Sequence, residues 1–361
     1  IEIMSRKSLK LGIIGGGQLG MFIAKSAMNQ KIVPYVYSDT LDAPAKKYAH
    51  KIIYGKFDDK EKLSEFFSEV DVITYEFENI STRTLKLIKG EKKIYPPLNA
   101  LSIAQDRKKE KNFFKKNSIE HAKTFYINSS DDLKRYNFKF PSIIKTARFG
   151  YDGKGQKIIN SIYELKKAWE SFNRVSCVVE EKINLKKELS IVIGRDYRGN
   201  LSYYPSFRNL HKNHILHKTF SPSGVNNKIE DELIGIAKKI ISKLSYVGVL
   251  TIEFFIDHNN NIYVNEIAPR VHNSGHITQD TFNVSQFDLH VMSVAGLLAP
   301  SIKRKNNGIM LNLIGNDIKK IKSLINKPSF MKFLKKKRYL YGKKHIKDGR
   351  KMGHINFYGK S

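Results

Sequence analysis

The 361-residue chain contains one cysteine and one tryptophan. The lone Cys177 excludes an internal disulfide and any cysteine-built metal cluster, and it fits a reducing compartment, so the cytoplasm is the expected location. No apolar run is long enough to cross a bilayer, and the opening IEIMSRKSLK lacks the apolar core of an export signal. Neither a membrane partner nor secretion is expected. Acidic residues are scarce too: 34 Asp and Glu stand against 64 Lys and Arg, a formal net charge of +30. Such a charge invites a nucleic-acid reading. Lys, however, greatly exceeds Arg and is spread along the whole chain with abundant Ile and Asn, whereas phosphate and base readout favour Arg. A chain-wide compositional bias is the simpler account. DRKKEK (Asp106–Lys111) and LKKKRYL (Leu334–Leu340) are where a nucleic-acid patch would sit. Internal repeats are missing, and the length suits two or three domains.

What is present begins with strand–helix alternation over residues 9–100. Leu11–Ile14 reads as a strand, Gly15-Gly16-Gly17-Gln18-Leu19-Gly20 opens a helix through Asn29, and Val33–Tyr37 and Val70–Tyr75 read as further strands. This pattern argues a parallel, doubly wound sheet with its ligand site at the strand carboxyl ends. The spacing of Gly15, Gly17 and Gly20, with Asp39 beyond, fits a dinucleotide fingerprint. Physically it requires only an anion at a helix N-terminus, so a phosphate is implied and a nicotinamide is not. A basic helix is expected over about 100–116, others over Ile162–Phe172, Lys228–Leu244 and Asp288–Leu298, and tail strands over Met310–Ile314 and 352–358.

The densest stretch is TIEFFIDHNNNIYVNEIAPRVHNSGH, Thr251–His276. Runs Val249–Ile256 and Ile262–Ile267 flank a polar turn. If Asn259-Asn260 is a two-residue turn, Glu253 lies directly opposite Glu266 on one face. Like charges so placed repel, and a pair of carboxylates suits Mg²⁺ completed by phosphate oxygens and water. An ordinary hairpin with two solvated Glu side chains is the plainer alternative. Arg270, His272, Asn273, Ser274 and His276 follow at once, a concentration of donors that marks a reaction centre.

A second glycine loop, Gly150-Tyr151-Asp152-Gly153-Lys154-Gly155-Gln156, lies between strands and so is not a Walker loop. It suits a flap over a triphosphate, with Lys145 at the end of the preceding strand reaching the phosphates; a plain surface hairpin is the alternative. Asp152, a carboxylate within a basic loop, would meet an amine. Glu180, Glu181, Lys182 and Ile183 end a β-rich run that could read an adenine edge, with Glu188 eight residues on for a ribose. Taken singly, each of these acidic residues is as readily a solvated one, and His211 a surface histidine.

Taken in order, Lys145, the 150–156 flap, Glu180–Ile183, Glu188 and the Glu253/Glu266 pair resemble the ATP-grasp ligases. Within these the chain resembles the 5-(carboxyamino)imidazole ribonucleotide synthases of purine biosynthesis, through GGGQLG (15–20), YEFENI (75–80), FGYDGKGQ (149–156), VGVLTIEFF (247–255), NEIAPRVHNSGHITQ (265–279) and GRKMGHIN (349–356). The resemblance implies a mixed α/β and α+β fold in three parts: a doubly wound parallel-sheet domain over 1–100, an ATP-grasp domain over 101–300 with a mobile lid over about 119–182, and a small β-rich domain over 301–361. It implies ATP- and bicarbonate-dependent carboxylation of the exocyclic amine of 5-aminoimidazole ribonucleotide through carboxyphosphate, with one or two Mg²⁺ ions, by a homodimer. Arg107, Lys145, the flap, Glu180–Ile183, Glu188, His211, Asn265 and Glu266 would then face ATP. Glu253 and Glu266 would hold the metal. Gly17, Gln18, Leu19, Glu76, Asn79, Tyr151, Asp152, Arg270, Asn273, Ser274, Lys343 and Arg350 would meet the ribonucleotide. Arg270 would grip bicarbonate through paired hydrogen bonds, and His272 or Asp152 would manage the amine proton, with Lys145 beside the phosphates.

Two departures stand out. Ala268 replaces an oxygen ligand on the face of Glu266, and strand alternation points Asn265 away from that face. Phe149 replaces a glycine of the flap. The rivals are another ATP-grasp ligase with a different acceptor, an NAD-dependent dehydrogenase, which nothing after residue 100 supports, and a basic nucleic-acid binder.

Overall fold

A computed structural model describes residues 8–90, 92–137, 139–148, 150, 155–298, 300–326 and 335–360. The first sheet comprises β1 (Lys10–Ile14), β2 (Val33–Ser38), β3 (Lys51–Tyr54), β4 (Val72–Tyr75) and β5 (Lys93–Ile94). It is wholly parallel in the order β3-β2-β1-β4-β5. Its central strands bury nearly every residue, as a sheet covered on both faces requires. With β2 and β4 on opposite sides of β1, a crevice opens at the carboxyl ends of β1 and β4. The Gln18–Asn29 helix starts there, immediately after the glycines.

The basic helix expected over 100–116 is two helices, Leu98–Ala104 and Arg107–Lys116. Asp106 divides them. Its backbone is extended, and its carboxylate accepts from the amides of Lys108 and Lys109, capping the second helix. This break aims Arg107, Glu110 and Lys111, three and four positions apart on one helical face, inward.

Strands β6 (Thr124–Ile127), β7 (Ser142–Thr146), β8 (Gln156–Ile159) and β9 (Cys177–Glu181) form an antiparallel sheet ordered β6-β9-β7-β8. The Ile162–Ser171 helix packs Leu165, Ala168 and Trp169 against it.

The largest sheet runs β15-β14-β10-β12-β13-β16-β18-β17, with β11 beside β10. Its strands are β10 (Leu185–Arg195), β11 (Leu201–Tyr203), β12 (Phe207–Lys212), β13 (Ile215–Ser221), β14 (Gly248–Asp257), β15 (Ile262–Ala268), β16 (Asn307–Ile314), β17 (Lys335–Leu340) and β18 (Lys351–Gly359). The strands after residue 300 therefore extend this sheet through the β13–β16 pairing. Alternate residues of β10 serve two cores. Leu189, Ile191 and Ile193 pack with Leu233, Ala237 and Ile240 of the Asn227–Lys243 helix, while Val192 joins Phe287 and Val291 of the Gln286–Ala295 helix. The second core also takes in Phe22 and Ile23, which ties the first sheet's helix to the large sheet.

Candidate active site

Glu253 pairs with Glu266, as the two-residue turn predicts, but by a different route. The loop is three residues, His258 to Asn260, with Asn260 left-handed at φ 65° and Asp257 accepting from the amides of Asn259 and Asn261 at 2.9 and 2.8 Å. That loop alone would set Glu253 opposite Asn265. Between Glu253/Glu266 and Phe254/Val264, however, the register shifts by one residue, a bulge at Asn265 that restores the carboxylate pair. The bulge also turns the Asn265 side chain toward Glu253, its amide 3.4 Å from Oε2, contrary to strict alternation. Burial, and then repulsion from Glu266, push the Glu253 carboxyl up to about 7. Glu253, Glu266 and the Asn265 amide make an oxygen-rich set that suits Mg²⁺. Among the described residues no three His, Cys, Asp or Glu side chains gather at one point, so further ligands would be phosphate oxygens and water.

The Arg107–Lys116 helix holds this bulge. Glu110 accepts from the Ile267 amide at 2.8 Å and Lys111 donates to the Asn265 carbonyl at 2.7 Å, both side chains almost wholly buried. Lys111 also pairs with Glu180 at 3.2 Å, whose other oxygen takes Lys145 at 2.5 Å. Two buried cations outweigh the desolvation of Glu180 and hold its carboxyl far below the usual range. Lys145, expected to point at phosphates, is thus paired within the lid sheet. Arg107 reaches Glu266 at 3.2 Å. Half of DRKKEK is therefore internal machinery rather than a nucleic-acid patch. Neither Glu110 nor Lys111 was singled out from the sequence; their spacing from Arg107 on a helix was the available signal.

A cleft of about 450 Å³ lies between the lid sheet and the large sheet. It is lined by Arg107, Lys145, Gly150, Gln156, Glu180, Glu181, Lys182, Ile183, Glu188, His211, Asn265 and Glu266, together with Glu253, Arg270, His272, Asn273 and Asn79. His211 and Glu188, on neighbouring strands β12 and β10, form an ion pair. Gly155 sits beside Thr146 at φ 72°, where an added Cβ would meet the threonine hydroxyl. Tyr151, Asp152, Gly153 and Lys154 lie outside the described residues.

Arg270 differs from expectation. Its fork is docked on Glu78, through Nε to Oε2 and Nη2 to Oε1 at 3.0 Å, so the paired hydrogen bonds foreseen for bicarbonate are already made. Glu78, two residues beyond Glu76 in YEFENI, is a site residue the sequence reading passed over. His272 stands with Nε2 3.3 Å from Glu253 Oε1, and burial followed by Arg270 keeps its ring neutral. Asn273 is buried, and among the described residues its Oδ1 lacks a hydrogen-bond partner, while its side chain borders the cleft. Ser274, expected against the ribonucleotide, is wholly buried, and its hydroxyl faces His272 Nδ1 at 2.9 Å.

The glycine loop is also corrected. Its anion is internal: Glu76, the first residue after β4, accepts from the amides of Gly17 at 2.6 Å and Gly20 at 3.0 Å. A Cβ on Gly17 would fall 2.5 Å from that carboxylate. Leu19 is buried in the core. The chain's tail nonetheless closes on this loop, since Lys343 donates to Gln18 Oε1 at 2.8 Å and to the carbonyl of Lys351, a cleft residue. Arg350 stands nearby against Asp42 at 3.5 Å.

Three family models match in series: a ribonucleotide synthetase preATP-grasp domain over 8–105, an ATP-grasp domain over 112–287 and a phosphoribosylaminoimidazole carboxylase C-terminal domain over 308–361. The chain is 37% identical to N5-carboxyaminoimidazole ribonucleotide synthase of Staphylococcus aureus (strain COL), covering 96% of this chain and 91% of that one. It belongs to that family. The Bacillus subtilis (strain 168) synthase is 35% identical over 96% of this chain and 90% of its own. The Staphylococcus aureus synthetase solved with ADP superposes with a TM-score of 0.91 at 36% identity, covering 99% and 95% of the two chains. The Aspergillus clavatus enzyme solved with ADP and 5-aminoimidazole ribonucleotide gives 0.89 at 26% identity, covering 98% and 94%. The chain is thus an ATP-grasp ligase of purine biosynthesis that carboxylates 5-aminoimidazole ribonucleotide at the expense of ATP.

Proposed function

We propose the following division of labour for that reaction. ATP lies in the cleft, its adenine edge against Glu181–Ile183 and its ribose by Glu188 and His211. Its phosphates run toward Arg107 and the Glu253/Glu266 pair, beneath the 150–156 flap. The observation that carries this reading is the bulge at Asn265, which sets two carboxylates and an amide on one face at the cleft's end. Glu253 and Glu266, with Asn265 beside them, would hold Mg²⁺ there, and its charge would offset that on the transferring phosphoryl group. Lys145 exchanges its pairing with Glu180 for a phosphate oxygen when ATP binds, and Lys111 stays with Glu180.

Bicarbonate attacks the γ-phosphorus, ADP leaves, and carboxyphosphate forms beside Arg270, which supplies positive charge while Glu78 keeps it oriented. The exocyclic amine of the ribonucleotide attacks the carboxyl carbon; the C–N bond forms, the C–O bond to phosphate breaks, and the amine loses a proton. Asp152 is the candidate acceptor of that proton, and His272 borders the same cleft. Lys343, Arg350 and Gln18 hold the ribonucleotide phosphate, and Asn273 offers its side-chain oxygen to the base or ribose. The functional units are 1–100, 101–300 with its lid at 119–182, and 301–361. A cytoplasmic homodimer is proposed from family resemblance. Bicarbonate labelled with heavy oxygen tests the route: one labelled oxygen should appear in the released phosphate, and unlabelled phosphate would contradict carboxyphosphate.

A further inference from the structure

His272 ends a buried hydrogen-bond chain that has a direction. Asn209 on β12 accepts from the Thr219 hydroxyl at 3.0 Å and donates through Nδ2 to Ser190 Oγ at 2.9 Å. Ser190 donates to Ser274 Oγ at 2.9 Å, and Ser274 Oγ lies 2.9 Å from His272 Nδ1. All four of these side chains are at least nine-tenths buried. The main-chain amide of Ser274 also points at Nδ1, at 3.3 Å. A main-chain N–H can only donate, so Nδ1 must accept, and the proton of the neutral ring sits on Nε2. Nε2 faces Glu253 Oε1. The backbone of His272 is fixed as well: Gln286 accepts from its amide at 2.9 Å and donates to its carbonyl at 2.6 Å.

We infer that Ser274, Ser190 and Asn209 are positioning residues that lock His272 as an Nε2–H donor against Glu253 Oε1. His272 is then a fixed donor rather than the base that takes the amine proton. The ring restrains one oxygen of Glu253 and leaves the other to face Asn265 and the metal position, as outer partners of metal ligands do. This last step rests on the reading of Glu253 as a metal ligand given above.

Two measurements test it on the full-length protein. In protein labelled with ¹⁵N at the histidine rings, the signals lost in His272→Asn should be those of a neutral Nε2–H tautomer, without substrate or metal. An Nδ1–H tautomer or an imidazolium would overturn the donor assignment. For the chain, Ser190→Ala removes a link, and Asn209→Asp replaces the side-chain amide donor to Ser190 with an acceptor. Each should raise the Mg²⁺ concentration for half-maximal ATP turnover by about 10-fold or more, with the unfolding midpoint retained and Ser190→Thr restoring the wild-type requirement. An unmoved Mg²⁺ requirement in both folded variants would overturn the positioning role. If Glu253→Gln leaves the Mg²⁺ requirement unchanged, the metal reading of Glu253 fails instead, and the tautomer measurement still decides the donor assignment.

Discussion

The Lys111 amine donates to the main-chain carbonyl of Asn265 while pairing with Glu180, so one buried cation joins the lid sheet to the carboxylate hairpin. Replacing Lys111 by Met keeps the apolar stem and removes the charge. The bulge carbonyl would lose its donor, and Glu180 would lose one of its two close cations, keeping Lys145. Lys111→Met should therefore cost roughly 3 kcal/mol in urea unfolding, the scale of breaking a buried ion pair. A cost below about 0.5 kcal/mol, the scale of neutral surface changes, would show that the amine does not hold the bulge.

The hairpin shows how the sequence can be right through compensating errors. Alternation and turn residues pointed to the Glu253/Glu266 pair, yet Asp257 draws the turn into a three-residue loop and the bulge at Asn265 restores the register. Neither feature has a local signal as strong as Asn-Asn in a turn. The departure at Ala268 remains, but the inward turn of Asn265 supplies an amide that alternation denied.

Other parts were less legible because they depend on partners distant in sequence. The sequence shows that Gly15, Gly17 and Gly20 admit an anion; that the anion is Glu76 follows only from β4 lying beside β1. Arg270 was recognised and Glu78 was not, since 192 residues separate them. The strands β1, β2 and β4, the helix after the glycines and the tail strand near 352–358 were legible because each is an apolar run of the right length. The short β3 and β5 carry too few apolar residues to stand out. The basic helix over 100–116 was misread because Asp106 acts as a cap within a run of otherwise good helix formers.

Lys343 gives the site a pH dependence. Burial, and then the nearby Arg350, lower its amine to about 8. Above that pH the amine of the free enzyme is neutral, and its attraction for a phosphate-bearing ribonucleotide is lost. Folding carries the opposite sign: the native state binds this proton less tightly than the unfolded chain, so the contribution to stability rises between about 8 and 10.5. The kcat/KM for the ribonucleotide should fall as pH rises through about 8 in the wild type. In Lys343→Met it should be low and flat over the same range. A wild-type profile flat through that range would remove Lys343 from phosphate binding.

Gly275 tests the clamp on His272. A Cβ at this position would lie 2.1 Å from Gln286 Oε1, and Gln286 is wholly buried and held by both main-chain groups of His272. Gly275→Ala should displace the Gln286 amide from both His272 main-chain groups, cost about 1–3 kcal/mol of stability as overpacking does, and lower kcat more than it raises KM for ATP. Wild-type turnover in the alanine variant would show that the clamp does not set the geometry of His272.

The most direct test of the whole account is phosphate release from ATP with Mg²⁺ and bicarbonate, with and without 5-aminoimidazole ribonucleotide, in the wild type and Glu266→Gln. The account predicts strong stimulation by the ribonucleotide in the wild type and its loss in a folded Glu266→Gln protein. Ribonucleotide-stimulated release that survives in Glu266→Gln would contradict the role given to the opposed carboxylates.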